Sequence, residues 1–177
     1  MIYYNMTSPK PIKTPPNSQP LGFVSHDHGA CVSQALAAVE KACADRELRL
    51  TPPRRKVLEL LLREHRALGA YAILDLLRDA GFKSQPPVAY RALDFLVEHG
   101  FAHKIERLNA FVACAHPDIH HSPGFLICRL CDAVGETQSG SADAGLGATA
   151  AASGFEIERT TIEVEGICPA CQAKAIK

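Results

Sequence analysis

Long hydrophobic runs are absent from this 177-residue sequence, although 47% of its residues are hydrophobic. A helix needs about 18 consecutive apolar residues to be a candidate membrane span, so we expect no membrane partner. The first 20 residues also lack the apolar core and the small-residue cleavage site of a signal peptide. We therefore expect a cytoplasmic protein, in which cysteine thiols are usually kept reduced and serve metal or redox chemistry.

Motifs of common enzyme classes are missing as well. The sequence contains no H-E-x-x-H pair, no nucleophile elbow and no phosphate-binding loop, which argues against an enzyme. The formal net charge is zero, but residues 46–107 hold twelve basic against eight acidic residues, and residues 108–177 hold four against eight. This split indicates two parts with different partners, the first compatible with a polyanion.

The N-terminal region predicts a flexible arm followed by helices. Residues 1–25 carry five of the twelve prolines and few large apolar side chains, so we expect residues 1–31 to form a disordered or flexible arm. That arm includes the segment HDHGAC, which we interpret as a polar tail. From Ser33 onward the pattern is helical, and Cys43 falls on the apolar face of the first helix as a core residue.

Three further helices and a hairpin follow with short connections. The third helix is expected to end at Gly81 and the fourth at Gly100, because glycine is favoured just past a helix end. After Gly100 the period changes to the alternation of strands in FAHKIE and AFVAC. Helices followed by a hairpin are typical of a winged helix-turn-helix, which we place at residues 32–115.

The fourth helix carries a polar face suited to a DNA groove. Tyr90 and Arg91 lie opposite the apolar side of this helix, near its N-terminus. An arginine bridges a guanine edge or holds a phosphate, and a tyrosine donates to phosphate or stacks. The pattern thus indicates a candidate recognition helix.

The C-terminal region predicts strands around a weakly structured segment. Residues 116–123 read as a hinge and residues 124–177 as a second domain, with strands in FLIC and AVGE. The stretch SGSADAGLGATAAASG is expected to be weakly helical at best. FEIERTTIEVEG is expected to be one strand, with a bulge near Thr160–Thr161 where the alternation shifts.

Two C-x-x-C pairs predict a metal site in this second domain. Cys128, Cys131, Cys168 and Cys171 supply the four thiolates that tetrahedral zinc favours. The 36 residues between the pairs exceed the usual zinc-ribbon gap of about 15–20, so folded structure must join them. The competing interpretation is a redox dithiol.

A mixed second metal site is predicted near the end of the hairpin. With Leu108–Asn109 as a two-residue loop, His103 pairs with Cys114 on one side of the sheet. Glu136 lies just past the first C-x-x-C, and the hinge supplies His116, His120 and His121. Ligands drawn from both halves of the chain would fix the angle between them when metal binds.

The sequence resembles the ferric uptake regulator family of bacterial metalloregulators, and within it the zinc uptake regulators, in six segments: RLTPPRRKVLELL, AYAILDLLR, VAYRALDFLVEHGFAHKIE, NAFVAC, FLICRLCDAV and GICPAC. The resemblance runs from about Ala35 to Cys171. It implies an α+β fold with an N-terminal winged helix-turn-helix domain and a small C-terminal α/β dimerisation domain. It further implies a homodimer that binds double-stranded operator DNA when zinc is plentiful and represses zinc-uptake genes.

Carried over by position, the resemblance implies two zinc ions per subunit. The structural zinc falls on the two C-x-x-C pairs, Cys128, Cys131, Cys168 and Cys171, and the regulatory zinc on His103, Cys114, His121 and Glu136. His120 is a rival to His121, because this sequence has one residue fewer than the family between Cys114 and that histidine. The implied DNA contacts are Tyr71, Tyr90 and Arg91.

The sequence departs from the family in two places. Val88-Ala89 stands where the family often has Thr-Val, and the Gly/Ala/Ser stretch replaces the usual helix of the dimerisation domain. The alternatives are an iron or peroxide sensor of the same family, a zinc-dependent enzyme or thiol oxidoreductase, and a zinc-ribbon module without DNA affinity. The thiolate of Cys114 favours zinc over iron or manganese, which prefer harder ligands.

Overall fold

Four helices form the N-terminal half of the chain, as seen in a computed structural model that describes residues 23, 28–63, 66–83, 85–117, 122–138 and 140–175. They are α1 (His28–Asp45), α2 (Pro52–Arg63), α3 (Ala70–Asp79) and α4 (Pro86–Glu98). Most of the predicted arm lies outside the described residues. The predicted end of the arm is wrong, because residues 28–31, the last four of HDHGAC, are helical and open α1. Apolar periodicity does not mark this first turn of the helix.

The predicted glycine stops of α3 and α4 lie just past the helix ends. Gly81 has a φ of 82° and Gly100 a φ of 74°, in the left-handed region that glycine enters without steric cost. The Phe82 N–H donates to the Leu77 carbonyl at 3.0 Å, and the Gly81 N–H to the Arg78 carbonyl at 2.9 Å. This pair of bonds is a Schellman motif, which satisfies the last carbonyls of α3.

A small antiparallel sheet completes the N-terminal half. It consists of β1 (Leu68–Gly69), β2 (Ala102–Ile105) and β3 (Ala110–Ala113), in the order β1-β3-β2. The predicted burial of Cys43 is confirmed, and the core to which it belongs joins the four helices to this sheet. Its largest fully buried side chains are Val39, Val57, Leu58, Leu61, Ile73, Leu77, Leu93, Leu96 and Phe101.

The predicted hairpin register is wrong by two residues. Ile105 pairs with Ala110 and His103 with Val112, so the turn contains four residues, 106–109, rather than two. Asn109 has a φ of 45°, and its N–H donates to the Glu106 carbonyl at 3.1 Å. Asparagine tolerates this left-handed conformation, which closes a longer turn. A shift of two residues keeps every side chain on its predicted face.

The C-terminal half contains a mixed sheet flanked by helices. Its strands are β4 (Pro123–Cys128), β5 (Val134–Gln138) and β6 (Ile162–Gly166), in the order β5-β4-β6. The strand β5 is antiparallel to β4, whereas β6 is parallel to it. Two helices complete this half, α5 (Gly140–Ala152) and α6 (Pro169–Ala175). Within the described residues, no helix combines the length and apolarity that a membrane crossing requires.

Two sequence-based expectations for this half are wrong. The Gly/Ala/Ser stretch forms the helix α5, because its alanines have the highest helix propensity and the parallel strand β6 requires a long crossover connection. The segment 155–161 is not a strand, and β6 begins only at Ile162. The shifted alternation therefore marks the start of a strand and not a bulge.

One face of the C-terminal sheet is turned toward the sheet of the N-terminal half. Pairing aligns Glu136, Phe125 and Glu163 in one row across β5, β4 and β6. The neighbouring row on the same face is Val134, Ile127 and Glu165. The buried residues Phe125, Ile127 and Val134 of this face form a second apolar cluster with Ile105 of β2. The two halves thus share a small core of their own.

Candidate metal centres and nucleic-acid interface

The two C-x-x-C pairs meet at one edge of the C-terminal sheet. Cys128 ends β4 and Cys168 follows β6 by two residues, and parallel strands end at the same edge of a sheet. The Arg129 N–H donates to the Gly166 carbonyl at 2.9 Å, which continues this pairing past Cys128. The long gap between the pairs is therefore filled by β5, α5 and β6, and it does not separate the cysteines.

The four sulfur atoms are close enough to share one ion. The Sγ atoms of Cys128, Cys131, Cys168 and Cys171 all lie within 4.8 Å of one another. The Cys131 and Cys168 sulfurs are 3.7 Å apart, far beyond the roughly 2.05 Å of a disulfide, and all four cysteines of the cluster are free thiols. Four converging thiols exceed what a redox dithiol uses, and they match a closed, structural zinc site.

Electrostatics at this cluster favour a bound cation. The backbone N–H of Cys168, 3.4 Å from the sulfur of Cys128, lowers the pKa of that thiol to about 6. Hydrogen bonding with Cys131 and Cys168 raises the pKa of Cys171 to about 12. The protein alone thus stabilises one thiolate, that of Cys128. Four neighbouring thiolates repel one another and require a positive charge between them, which a divalent ion supplies.

The predicted second site is assembled from both halves of the chain. One donor atom each from His103 on β2, Cys114 after β3 and Glu136 on β5 lie within 4.8 Å of one another. The His103 Nε2 and Glu136 Oε1 atoms are 3.6 Å apart, and the Cys114 Sγ atom is 3.9 Å from the same oxygen. The observed hairpin register still brings His103 and Cys114 together, because both side chains remain on the same face of the sheet as in the predicted register.

Backbone groups orient two of these donors. The Ala115 N–H donates to Glu136 Oε2 at 2.8 Å, which leaves Oε1 directed toward His103 and Cys114. The His116 N–H donates to the Cys114 sulfur at 3.4 Å. These N–H groups follow Cys114 directly, and a sequence pattern of side chains carries no signal for them. His120 and His121, the predicted hinge ligands, lie outside the described residues.

The site is largely closed to solvent. The side chains of His103 and Glu136 are only 15% and 7% exposed. The Phe125 ring lies 5.4 Å from the His103 ring, centroid to centroid, and is itself fully buried. A mixed set of nitrogen, sulfur and oxygen donors fits zinc, which accepts all three.

The predicted DNA face is exposed as expected. Tyr71 on α3 is 72% exposed and Tyr90 on α4 is 43% exposed, and both border a cleft between these helices and the hairpin. Arg91 is exposed beside Tyr90. Two exposed aromatic hydroxyls and a guanidinium on adjacent helices can contact phosphates and base edges.

Known proteins share this sequence and fold. A model of the ferric uptake regulator family matches residues 45–165. The zinc uptake regulation protein of Escherichia coli K12 is 43% identical over 139 residues, which cover 78% of this chain and 81% of the relative. The zinc uptake regulation protein of Shigella flexneri is equally similar, with the same identity and coverage.

Solved structures give the same picture. A zinc uptake regulator complexed with zinc and DNA aligns with a TM-score of 0.79 at 41% identity, covering 82% of this chain and 98% of that one. Holo XcZur aligns with a TM-score of 0.73 at 45% identity, covering 79% of this chain and 98% of that one. The alignments include both halves of the chain.

Proposed function

This chain belongs to the ferric uptake regulator family, and on that premise we propose that it is a zinc-responsive transcriptional repressor. It is a regulator and not an enzyme. It binds operator DNA as a zinc-loaded homodimer and represses zinc-uptake genes, as its similarity to zinc uptake regulators supports. A cytoplasmic location follows as a proposal, since the protein has to meet DNA.

The observation that carries this function is the convergence of His103, Cys114 and Glu136. His103 lies on the wing strand β2 and Cys114 directly follows the wing strand β3, whereas Glu136 belongs to the C-terminal sheet. Bound zinc supplies the positive charge that holds these three donors together. The three residues then fix the orientation of the DNA-binding half relative to the dimerisation half. We propose that this orientation distinguishes the form that binds DNA from the form that does not.

We assign two zinc ions to each subunit. Cys128, Cys131, Cys168 and Cys171 hold the structural ion, which joins the end of β4 to the start of α6. The regulatory ion is held by His103, Cys114 and Glu136, with His121 or its rival His120 as the hinge ligand. Since the first set is entirely thiolate and the second is mixed, the first is the tighter site.

For the domains we propose the bounds predicted from the sequence. Residues 32–115 form the winged-helix DNA-binding domain, 116–123 the hinge and 124–177 the dimerisation domain, and the arm at residues 1–31 is shortened at its end because residues 28–31 belong to α1. Tyr71, Tyr90 and Arg91 form its DNA contacts, supported by their exposure on α3 and α4.

The dimer surface is proposed on the C-terminal half. Val164 of β6 points to the sheet face away from the wing and is 49% exposed, and Phe155 nearby along the chain is 67% exposed. Leu146 on α5 is also exposed. We propose that these exposed apolar groups contribute to the interface with a partner subunit, where apolar side chains are buried.

A zinc titration of operator binding tests the function. The probe is a duplex selected from a random pool by the zinc-loaded protein, followed by fluorescence anisotropy with zinc and then with a chelator. Binding that rises with zinc and is lost on chelation supports the repressor. Binding that follows iron or peroxide instead supports the rival sensor, and no DNA affinity at any metal concentration supports a zinc-ribbon module.

A further inference from the structure

The turn of the wing, residues 106–109, is held on the C-terminal sheet by acidic side chains of β6. The Glu163 carboxylate accepts hydrogen bonds from two successive backbone N–H groups, from Glu106 at 2.7 Å and from Arg107 at 3.1 Å. The Arg107 guanidinium pairs with Glu165, two residues further along the same strand. None of these residues is a ligand of either proposed metal site.

These contacts follow from the way β2 lies over the C-terminal sheet. Glu136, Phe125 and Glu163 form one row across three strands, and strands are about 4.8 Å apart, so the outer two backbones are about 10 Å apart. The span from His103 to Glu106 along the wing is also about 10 Å, at roughly 3.3 Å per residue. His103 meets Glu136 at one end of the row, and Glu106 meets Glu163 at the other.

We propose that Glu163 is a positioning residue for DNA binding, which with Glu165 clamps the wing turn in the pose that the regulatory metal site selects. This inference rests on the proposed function. A metal site at one end of β2 is a single attachment, about which the wing can still pivot. A second attachment at the other end, with Ile105 packed between them, fixes the angle of the wing.

The negative charge of Glu163 allows the clamp to be distinguished from a general effect of charge on DNA binding. Removing a negative charge from a protein that binds DNA should strengthen binding, since fewer charges repel the phosphates. Loss of the clamp should weaken binding, because fewer molecules hold the competent pose and the apparent affinity falls by that fraction. The two explanations predict opposite signs for the same substitution.

The test compares three full-length variants, Glu163→Gln, Glu163→Ala and Glu156→Gln. The Gln side chain keeps one acceptor oxygen and the Ala side chain keeps none, so the variants form a graded series. Glu156 is exposed in the same half of the chain and forms no ion pair among the residues that the structure describes, so Glu156→Gln controls for the lost charge. Operator affinity is measured by anisotropy in saturating zinc, with the in vitro-selected duplex.

We expect Glu163→Gln to weaken operator binding about 5-fold to 10-fold and Glu163→Ala about 10-fold or more, within the usual range of coupling between sites. The zinc concentration for half-maximal DNA binding should rise in the same order, while each chain still binds two zinc ions. Glu156→Gln should bind as the wild type does or slightly more tightly.

Operator affinity equal to or above that of the wild type in both Glu163 variants would overturn the clamp. If Glu163→Ala fails to fold by circular dichroism, the near-isosteric Glu163→Gln decides the question alone. A wild-type protein that shows no zinc-dependent binding would instead overturn the proposed function, so the two failures are distinguishable.

Discussion

Replacing His103 by alanine should separate zinc sensing from folding. The substitution removes one of the three described donors of the regulatory site, and it leaves the four-cysteine cluster untouched. Losing even an outer hydrogen-bond partner of a ligand costs about 10-fold to 100-fold in metal affinity, so loss of a ligand itself should cost at least about 100-fold. That factor corresponds to about 2.8 kcal/mol, since each tenfold is about 1.4 kcal/mol.

The cost to the fold should be smaller than the stability of the domain. The His103 side chain is 15% exposed and packs against Phe125, so the truncation loses one aromatic contact and leaves a small void. Such core truncations cost about 1–3 kcal/mol against a total of about 5–15 kcal/mol. We expect a folded dimer that carries one zinc ion per chain instead of two.

Metal analysis after gel filtration, circular dichroism and the zinc titration of operator binding measure these effects. The matched control is His99→Ala, because the His99 ring also packs against aromatic rings. The distance between ring centroids is 4.5 Å to Phe95 and 6.3 Å to Phe101. His99 lies outside both metal clusters. The control should lose stability and keep its zinc response. A His103→Ala protein that retains two zinc ions and full zinc-dependent binding would refute the assignment of the regulatory site.

Three further variants test the remaining assignments. Arg91→Ala should cost roughly 1–3 kcal/mol of operator binding if the guanidinium reads a base, and an unchanged affinity by anisotropy would remove it from the DNA face. Cys114→Ser should abolish zinc-dependent DNA binding, whereas an iron or peroxide sensor would keep its metal response. Cys171→Ser should lower the zinc content by one ion per chain and the melting temperature by several degrees; an unaltered zinc content and melting temperature would exclude a structural role for the four-cysteine cluster.

Side-chain convergence at the two metal sites was predictable because of chemical type and spacing. Two C-x-x-C pairs indicate one tetrahedral ion, whatever the length of chain between them. The parallel pairing of β4 with β6 brings the two pairs to the same edge of the sheet. The prediction that His103 and Cys114 lie together is correct although the predicted register is wrong, because a shift of two residues in a strand keeps each side chain on its face.

The remaining features depend on tertiary context that local patterns do not record. The helix α5 has glycines and no strong apolar periodicity, and the need to connect β5 to the parallel strand β6 outweighs its weak pattern. The contacts of Glu163 go to backbone N–H groups 56 and 57 residues away. No side-chain motif marks such backbone donors, so only the structure shows the clamp.

Locating the zinc ions by anomalous diffraction from a crystal of the zinc-loaded protein tests the central claim most directly. We predict two peaks per chain above the zinc absorption edge. One lies among the four cysteine sulfurs, and the other lies among His103, Cys114 and Glu136, at roughly 2.0–2.3 Å from their donor atoms. A single peak at the cysteines, with His103 and Cys114 directed away from Glu136 in excess zinc, would contradict it.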